Sequence, residues 1–110
     1  MTYRIETTHQ AADDRDRCFA YIAERSRAGA ISWLEAYELA IDALAENPFR
    51  GLAPESVDHD EEIRQQLFKT RHGLTYRALF LIRGDVVFLL HVQGPGQDIL
   101  PSSGIRPPSE

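Results

Sequence analysis

The chain has 110 residues, a formal net charge of −5 and a hydrophobic fraction of 43%, which suits a single domain with a small core. No apolar run approaches the roughly 20 residues that cross a bilayer, and the N-terminus lacks the basic-then-apolar layout of a signal peptide. The single cysteine, Cys18, allows no internal disulfide and indicates a reducing, cytoplasmic setting without membrane association.

The first half of the chain predicts one short strand and two helices. Residues 3–6 alternate in polarity and predict an opening strand. Thr7 and Gln10 have the spacing of a capping box, so a first helix is expected to follow them and to end near Gly29. Apolar residues then recur at helical spacing over residues 30–46, up to an Asn-Pro pair, and predict a second helix. The short link between the helices predicts an antiparallel hairpin.

The second half predicts an acidic loop and then a sheet. Residues 48–62 combine proline, glycine and acids, so we expect an exposed loop that is either mobile or involved in contacts. After the loop, β-branched and aromatic residues predict three strands. These strands cover residues 63–70, 75–83 and 86–93.

The last two strands are predicted to form a tight hairpin. Gly84-Asp85 between them is a two-residue turn signal, and in that register Arg77 lies opposite Val92. Both faces of the hairpin are largely apolar, so the two strands should be central and covered on both sides. Residues 1–100 are expected to be one domain and residues 101–110 a flexible tail. Helices packed on one face of an antiparallel sheet give an α+β fold with the order β-α-α-β-β-β.

Several segments, taken in order, carry a family resemblance: Tyr3-Arg4-Ile5, residues 40–51, Tyr76-Arg77-Ala78-Leu79-Phe80, Gly84-Asp85-Val86-Val87 and His91-Val92. Together, over roughly residues 3–98, they resemble the RelE/ParE toxin superfamily, the plasmid-stabilisation toxins of type II toxin–antitoxin modules. The resemblance implies a RelE/ParE-like fold, a cognate antitoxin that wraps the surface of the toxin, and no metal or organic cofactor. It implies one of two activities: RelE-like members cleave mRNA on the ribosome, whereas ParE-like members bind and poison DNA gyrase.

The resemblance also singles out candidate site residues. RNA cleavage by 2′-OH attack requires a proton acceptor, positive charge at the phosphate and a proton donor. Arg77 matches an arginine that follows an aromatic residue in the family, and its guanidinium fork suits phosphate. An ion pair with an acid, or a contact with the antitoxin, is the alternative role for Arg77. Arg64 and Lys69 are the further catalytic candidates. Candidate binding residues are Arg71, His72, Tyr76, His91, Gln93 and Gln97.

Two alternatives concern histidines. His91 lies within an apolar strand, where a buried and hydrogen-bonded histidine is the commoner arrangement. His72 lies in a predicted turn, free to meet a ligand. No pair of histidines has metal-ligand spacing with Cys18 or an acid, so no metal site is predicted.

The choice between the two activities depends on charge. RelE-like members commonly carry basic residues at and after the end of the last strand, whereas residues 93–97 here contain none. Loss of one such donor costs about 3–4 kcal/mol of transition-state stabilisation. The charge balance differs in residues 63–110, which contain six Lys or Arg and three acids. This positive charge is compatible with an anionic target, and an ordinary solvated surface explains it as well.

The long helical hairpin is more similar to ParE-type members. We therefore expect a toxin that binds DNA gyrase. The alternatives are a ribosome-dependent mRNA endoribonuclease, in which case alone the chain is an enzyme, and a non-toxic remnant that only binds a partner. The oligomeric state stays open, and a homodimer is one of the assemblies that the sequence allows.

Overall fold

The computed structural model describes residues 2–97 and 99–108. Within these ranges two helices pack on one face of a four-stranded sheet, so the predicted α+β class and element order are confirmed. The strands are β1 (Arg4–Thr7), β2 (Arg64–Phe68), β3 (Tyr76–Arg83) and β4 (Val86–Gln93), and the helices are α1 (His9–Ala23) and α2 (Arg27–Glu46). Neither helix of this described part is both long and apolar enough to cross a membrane.

The strand order in the sheet is β1-β4-β3-β2. The strands β2, β3 and β4 pair antiparallel, whereas β1 pairs parallel with β4. The sheet is therefore mixed, because the helical hairpin returns the chain to the far edge and leaves β1 beside the last strand. The two strands predicted to be central, β3 and β4, lie in the middle of the sheet.

Both helices begin at positions that differ from the prediction. Thr8, not Thr7, caps α1, and its hydroxyl accepts a backbone N–H from the first turn. Thr7 is unavailable for this role because it belongs to β1. Gly29 does not break the first helix, because it lies in the first turn of α2 and donates its N–H to the hydroxyl of Ser26 at 2.9 Å. A serine cap thus starts the second helix three residues earlier than its apolar pattern indicates.

The helix-facing side of the sheet holds most of the aromatic core. Trp33 and Tyr37 of α2 stack with ring centroids 5.8 Å apart, and both rings meet Phe68 of β2. A second group on this side joins α1 and α2 to β3 and β4, with Phe80 fully buried at its centre. Burial of a side chain such as Phe80 stabilises the fold by about 1.5–3 kcal/mol.

The opposite side of the sheet is covered by irregular chain. Leu79, Leu81 and Leu90 of the central strands pack there against Ala53 and Ile105. Ala53 belongs to the segment expected to be an exposed acidic loop, and that segment carries a turn of 3-10 helix, Pro54–Asp58, in which Glu55 is buried whereas Val57 is 84% exposed. The expectation of an exposed loop is wrong only at its buried positions, such as Ala53, because an apolar sheet face without helices needs another cover.

The segment expected to be a flexible tail supplies the rest of this cover. Ile105 is 2% exposed, and the carbonyl oxygen of Gly104 lies 3.0 Å from Nε2 of His91. Farther along, Nη1 of Arg83 donates to the carbonyl oxygen of Pro108 at 2.9 Å. Gly104, Ile105 and Pro108 thus contact the sheet, while Ser109 and Glu110 of the expected tail lie outside the described residues. The domain boundary at residue 100 stays a prediction.

A bulge changes the predicted register of the central hairpin. The Gly84-Asp85 turn forms as predicted, with Arg83 opposite Val86. The register then shifts between Leu79 and Phe80, so that Arg77 lies opposite Gln93 and not Val92. The predicted pairing is wrong because counting back from a turn assumes an uninterrupted ladder, and one extra residue in a strand breaks that count.

The packing of the C-terminal segment predicts a measurable stability difference. Ile105→Ala should lower the free energy of unfolding by about 2–5 kcal/mol, because it removes a buried side chain and leaves a cavity. Ile99→Ala is the matched control, since Ile99 is 61% exposed, and it should change the free energy by less than about 0.5 kcal/mol. Urea unfolding of both variants measures the difference, and equal values would contradict the packing of this segment.

Candidate functional site

Arg77 is the centre of a charged cluster on the side of the sheet opposite the helices. Its Nη1 donates to Oε1 of Glu55 at 2.8 Å, and its Nη2 donates to Oε2, so the carboxylate occupies the guanidinium fork on two atoms. Oε1 of Gln65 accepts from Nη1 at 3.2 Å, and Oε1 of Gln93 accepts from Nη2. The side chain of Arg77 is 15% exposed and that of Glu55 is 0% exposed.

The cluster depends on elements that are far apart in the sequence. Glu55 lies in the 3-10 helix Pro54–Asp58 and also accepts the backbone N–H of Leu100 at 3.0 Å. Gln65 lies on β2 and Gln93 on β4, on either side of Arg77 in β3. Gln93 reaches the guanidinium because the bulge places it directly opposite Arg77. One arginine thus ties three strands to the covering segments.

Electrostatics favours the charged form of this pair. Burial alone would raise the pKa of Glu55, but hydrogen bonds from Arg77 and from the Leu100 N–H outweigh it, so the pKa lies below its usual value. A phosphate that took the place of Glu55 would leave a buried carboxylate without its partner, at a cost of about 3–5 kcal/mol. In this conformation Arg77 acts as a structural cation.

The other two catalytic candidates do not converge on Arg77. Arg64 donates from Nη1 to the carbonyl oxygen of Arg50 at 2.5 Å, and its Nη2 lies 3.6 Å from a carboxylate oxygen of Glu62. Because the neighbouring Gln65 points at Arg77, Arg64 points to the opposite face of β2. Lys69 is exposed just beyond β2 and has no hydrogen-bond or ion-pair partner among the residues that the structure describes.

Apart from Gln93 in the Arg77 cluster and His91, the predicted binding residues lie in two places. Arg71 and His72 are exposed in the turn before β3. Tyr76 and Gln97 line a groove of about 500 Å³ between α1 and the loop that follows β4. Burial raises the pKa of the Tyr76 phenol, which disfavours the phenolate further. Gln97 closes the loop on itself, because its Oε1 accepts the N–H of Gly94 at 2.5 Å.

His91 belongs to a buried network and not to the groove surface. Its Nδ1 lies 3.1 Å from Oδ2 of Asp14 on α1, and its Nε2 lies 3.0 Å from the carbonyl oxygen of Gly104. The same Asp14 oxygen accepts the backbone N–H of Val92 at 3.0 Å. Burial would raise the pKa of Asp14, but the hydrogen bonds from His91 and Val92 lower it below its usual value. The arrangement matches the alternative of a buried, hydrogen-bonded histidine.

Sequence reasoning missed two buried acids, Glu55 and Asp14. The position of Asp14 carried a signal, because it falls between Ala11 and Cys18 at the 3-4 spacing of the apolar stripe of α1. An acid on such a stripe requires partners in the core. Glu55 gave no comparable local signal, because its burial depends on Arg77, which is 22 residues away in the sequence.

The described ranges offer neither a metal-binding group nor an activated thiol. Among residues 2–97 and 99–108, no group of three or more histidine, cysteine or acidic side chains is placed to hold a metal ion. Burial, followed by the charge of Asp14, raises the pKa of the Cys18 thiol, which disfavours the reactive thiolate.

These features define a small α+β protein of the RelE/ParE toxin type, whose sheet carries a buried arginine–carboxylate pair. A family model described as the ParE toxin of the type II toxin-antitoxin system, parDE, matches residues 5–99. The chain therefore belongs to this toxin family, and membership implies an antitoxin as partner. No curated protein and no solved structure gives a significant match to the chain.

The Arg77–Glu55 pair predicts strong energetic coupling. Arg77→Ala and Glu55→Ala should each lower the free energy of unfolding by about 3–5 kcal/mol, because each leaves a buried charge unpaired. The double variant should cost clearly less than the sum of the two. A double-mutant cycle on the more exposed Arg83–Glu61 pair is the control, and its expected coupling energy is about 0–1 kcal/mol. Additive costs at Arg77 and Glu55 in urea unfolding would contradict the pairing.

The two lowered pKa values predict an acid-sensitive fold. Glu55 and Asp14 stabilise the folded state fully above their ordinary values of 4.5 and 3.8, and this stabilisation is lost as the pH falls through their lower folded-state values. The free energy of unfolding, measured at a series of pH values, should therefore decline below about pH 4.5. Glu55→Gln should flatten the decline, whereas Glu46→Gln, at an exposed helix end, should not. Equal slopes in the two variants would count against a role for Glu55.

Proposed function

We propose that this chain is a ParE-like toxin that stops growth by binding DNA gyrase, and that it does not cleave RNA. The observation that carries the proposal is the state of Arg77, whose guanidinium fork is filled by the buried carboxylate of Glu55. In a RelE-like enzyme this arginine would have to meet a phosphate. Family membership supports the toxin class and an antitoxin partner, and the locked arginine favours protein binding over catalysis.

The rest of the sheet supports the same choice. Residues 53 and 105 cover the sheet side on which Arg77 lies, so an RNA strand would need to displace both segments. Arg64 points away from Arg77 and is held by a backbone carbonyl. Cleavage requires positive charge to converge on one phosphate, whereas Arg64, Lys69 and Arg77 are dispersed over the sheet and its edge.

A ribosome-dependent endoribonuclease is the second candidate, and the exposed basic turn favours it. Lys69, Arg71 and His72 lie close together before β3, exposed to solvent. Positive charge at such a turn suits contact with ribosomal phosphates. We still favour protein binding, because RNA cleavage also requires a proton acceptor and a proton donor, and no buried acid or base lies beside the positive charge in the described part of this turn.

The setting of the toxin follows from the proposed target. A protein that binds DNA gyrase acts in the cytoplasm, and we place this chain there as the toxin of a plasmid-stabilisation module. Its antitoxin would hold it inactive until the antitoxin is lost.

Induced expression of the chain without its antitoxin tests the proposal. Growth should stop with DNA-damage signalling, and purified toxin should block supercoiling by purified gyrase or trap its cleavage complex. Co-expression of the antitoxin should restore growth. Full supercoiling activity of gyrase at high toxin concentration would contradict the proposal.

The same material separates the alternatives. Translation reactions with added toxin should show uncut mRNA. Cuts in the ribosomal A site that disappear in Lys69→Ala/Arg71→Ala would instead establish the ribonuclease. A chain that binds its antitoxin but neither arrests growth nor cuts mRNA would be a non-toxic remnant of the fold.

A further inference from the structure

The two edges of the sheet differ in how much of their backbone is already paired. On the β2 edge, the N–H of Gln65 donates to the carbonyl oxygen of Gly51 at 3.2 Å, so the preceding loop lies along the start of this strand. Farther along β2, the side-chain amide of Gln66 donates to the carbonyl oxygen of Leu67 at 2.9 Å. The chain thus closes much of this edge with its own groups.

The other edge, β1, has no such cover. The N–H of Arg4 donates to the carbonyl oxygen of Asp85 at 2.9 Å, at the start of the pairing with β4. Because backbone groups alternate along a strand, the N–H groups of Ile5 and Thr7 point away from the sheet. Neither has a hydrogen-bond partner among residues 2–97 and 99–108. An unpaired edge of this kind is a template for pairing with another chain.

The face of β1 that is exposed to solvent carries one positive and one negative charge. The side chain of Arg4 is 69% exposed and that of Glu6 is 50% exposed, with 3.3 Å between Nε and Oε1. An exposed ion pair such as this contributes little free energy, so the two side chains can exchange partners at little cost. Their spacing of two residues places both charges on the same side of the strand.

We infer that β1 is the surface on which a second copy of this chain pairs, antiparallel and about a two-fold axis at Ile5. In this register the two Ile5 residues lie opposite each other and exchange backbone hydrogen bonds through the groups that point outward. Arg4 then lies opposite Glu6 of the second copy, at the positions where cross-strand side chains come closest. The two-fold axis repeats this contact, so the edge is complementary to itself.

Charge favours both this register and this occupant. A pairing centred on Glu6 would place two carboxylates opposite each other, and one centred on Arg4 would place two guanidinium groups opposite each other, which is unfavourable in both cases. A strand from another protein would need an acid opposite Arg4 and a base opposite Glu6. A second copy brings both in the required order.

The length of β1 indicates how strong the association should be. The strand has four residues, and its open stretch is bounded at Tyr3, whose N–H donates to the carbonyl oxygen of Ala45 at 2.8 Å. Small contacts are typical of transient assemblies. We therefore expect a dimer that forms in a concentration-dependent manner and whose sheet runs through both copies. This inference does not depend on which target the toxin binds.

A charge exchange tests the register. Arg4→Glu and Glu6→Arg should each weaken dimerisation of the purified chain by about tenfold or more, because each places like charges opposite each other at both symmetric positions. The double variant Arg4→Glu/Glu6→Arg should restore the native affinity to within about threefold. Arg27→Glu is the matched control, since Arg27 is exposed at the start of α2 and far from β1 in the sequence, and it should change nothing.

Sedimentation velocity over a range of concentrations measures these affinities, and circular dichroism checks that the variants are folded. A native chain that stays monomeric up to about 1 mM would overturn the inference. Single variants that dimerise as well as the native chain, or a double variant that fails to regain affinity, would overturn the pairing of Arg4 with Glu6.

Hydrogen exchange of single amides tests which edge is used. The exchange of the Ile5 N–H, followed by NMR, should slow by about tenfold or more as the chain becomes dimeric, because this amide gains a partner. Leu67 on the β2 edge is the control, since its N–H also points outward, two residues after that of Gln65, and its exchange should not change. Slowing at Leu67 and not at Ile5 would assign the dimer to the wrong edge for this inference.

The same measurement distinguishes a second copy from the antitoxin. If the Ile5 amide is protected only when antitoxin is added, and to the same extent at every toxin concentration, the edge belongs to the antitoxin and the inference is overturned. Protection that rises with the concentration of the toxin alone, and that is lost in Arg4→Glu, supports the second copy.

Discussion

The ion pair between Arg77 and Glu55 is the interaction on which the second side of the sheet depends. It holds the 3-10 helix Pro54–Asp58 against β3, and through the Leu100 N–H it holds the chain after the last loop. With both segments in place, Ala53 and Ile105 can cover the leucines of the central strands. A buried pair of this kind gives little net stability over apolar residues of the same shape, but loss of either partner is costly. The pair therefore specifies where the covering segments lie.

Local sequence signals predicted the fold wherever the deciding contacts are local. The hairpin of β3 and β4 was predicted to within one residue, because Gly84-Asp85 and the flanking β-branched residues act over a few positions. The same reasoning missed the parallel pairing of β1 with β4 and the bulge between Leu79 and Phe80. Both depend on how distant segments meet. The start of α2 at Arg27 was missed for a smaller reason, since Gly29 in its first turn resembles a glycine that ends a helix.

The site was harder to predict than the fold, and the reason is again distance along the chain. Arg77 was singled out by the family resemblance of the Tyr76-Arg77 pair, but its partner could not be, because Glu55 lies in a stretch whose composition resembles an exposed loop. Asp14 could have been recognised from its place on the apolar stripe of α1. Ile105 could not, because a lone isoleucine among prolines and serines has no periodicity to indicate burial.

The uncharged stretch after β4 has a structural reason that also bears on function. At the end of the strand, Gln93 is buried and accepts a hydrogen bond from Arg77, so a basic residue there would face a like charge with little solvent. Next in the chain, a side chain at Gly94 would come within 3.0 Å of the Tyr76 ring, and Gly96 has a positive φ of 81°. The absence of a basic residue at the end of β4 and the pairing of Arg77 with Glu55 therefore have the same structural cause. A sheet that commits Arg77 to Glu55 needs neutral acceptors beside it, and Gln65 and Gln93 supply them.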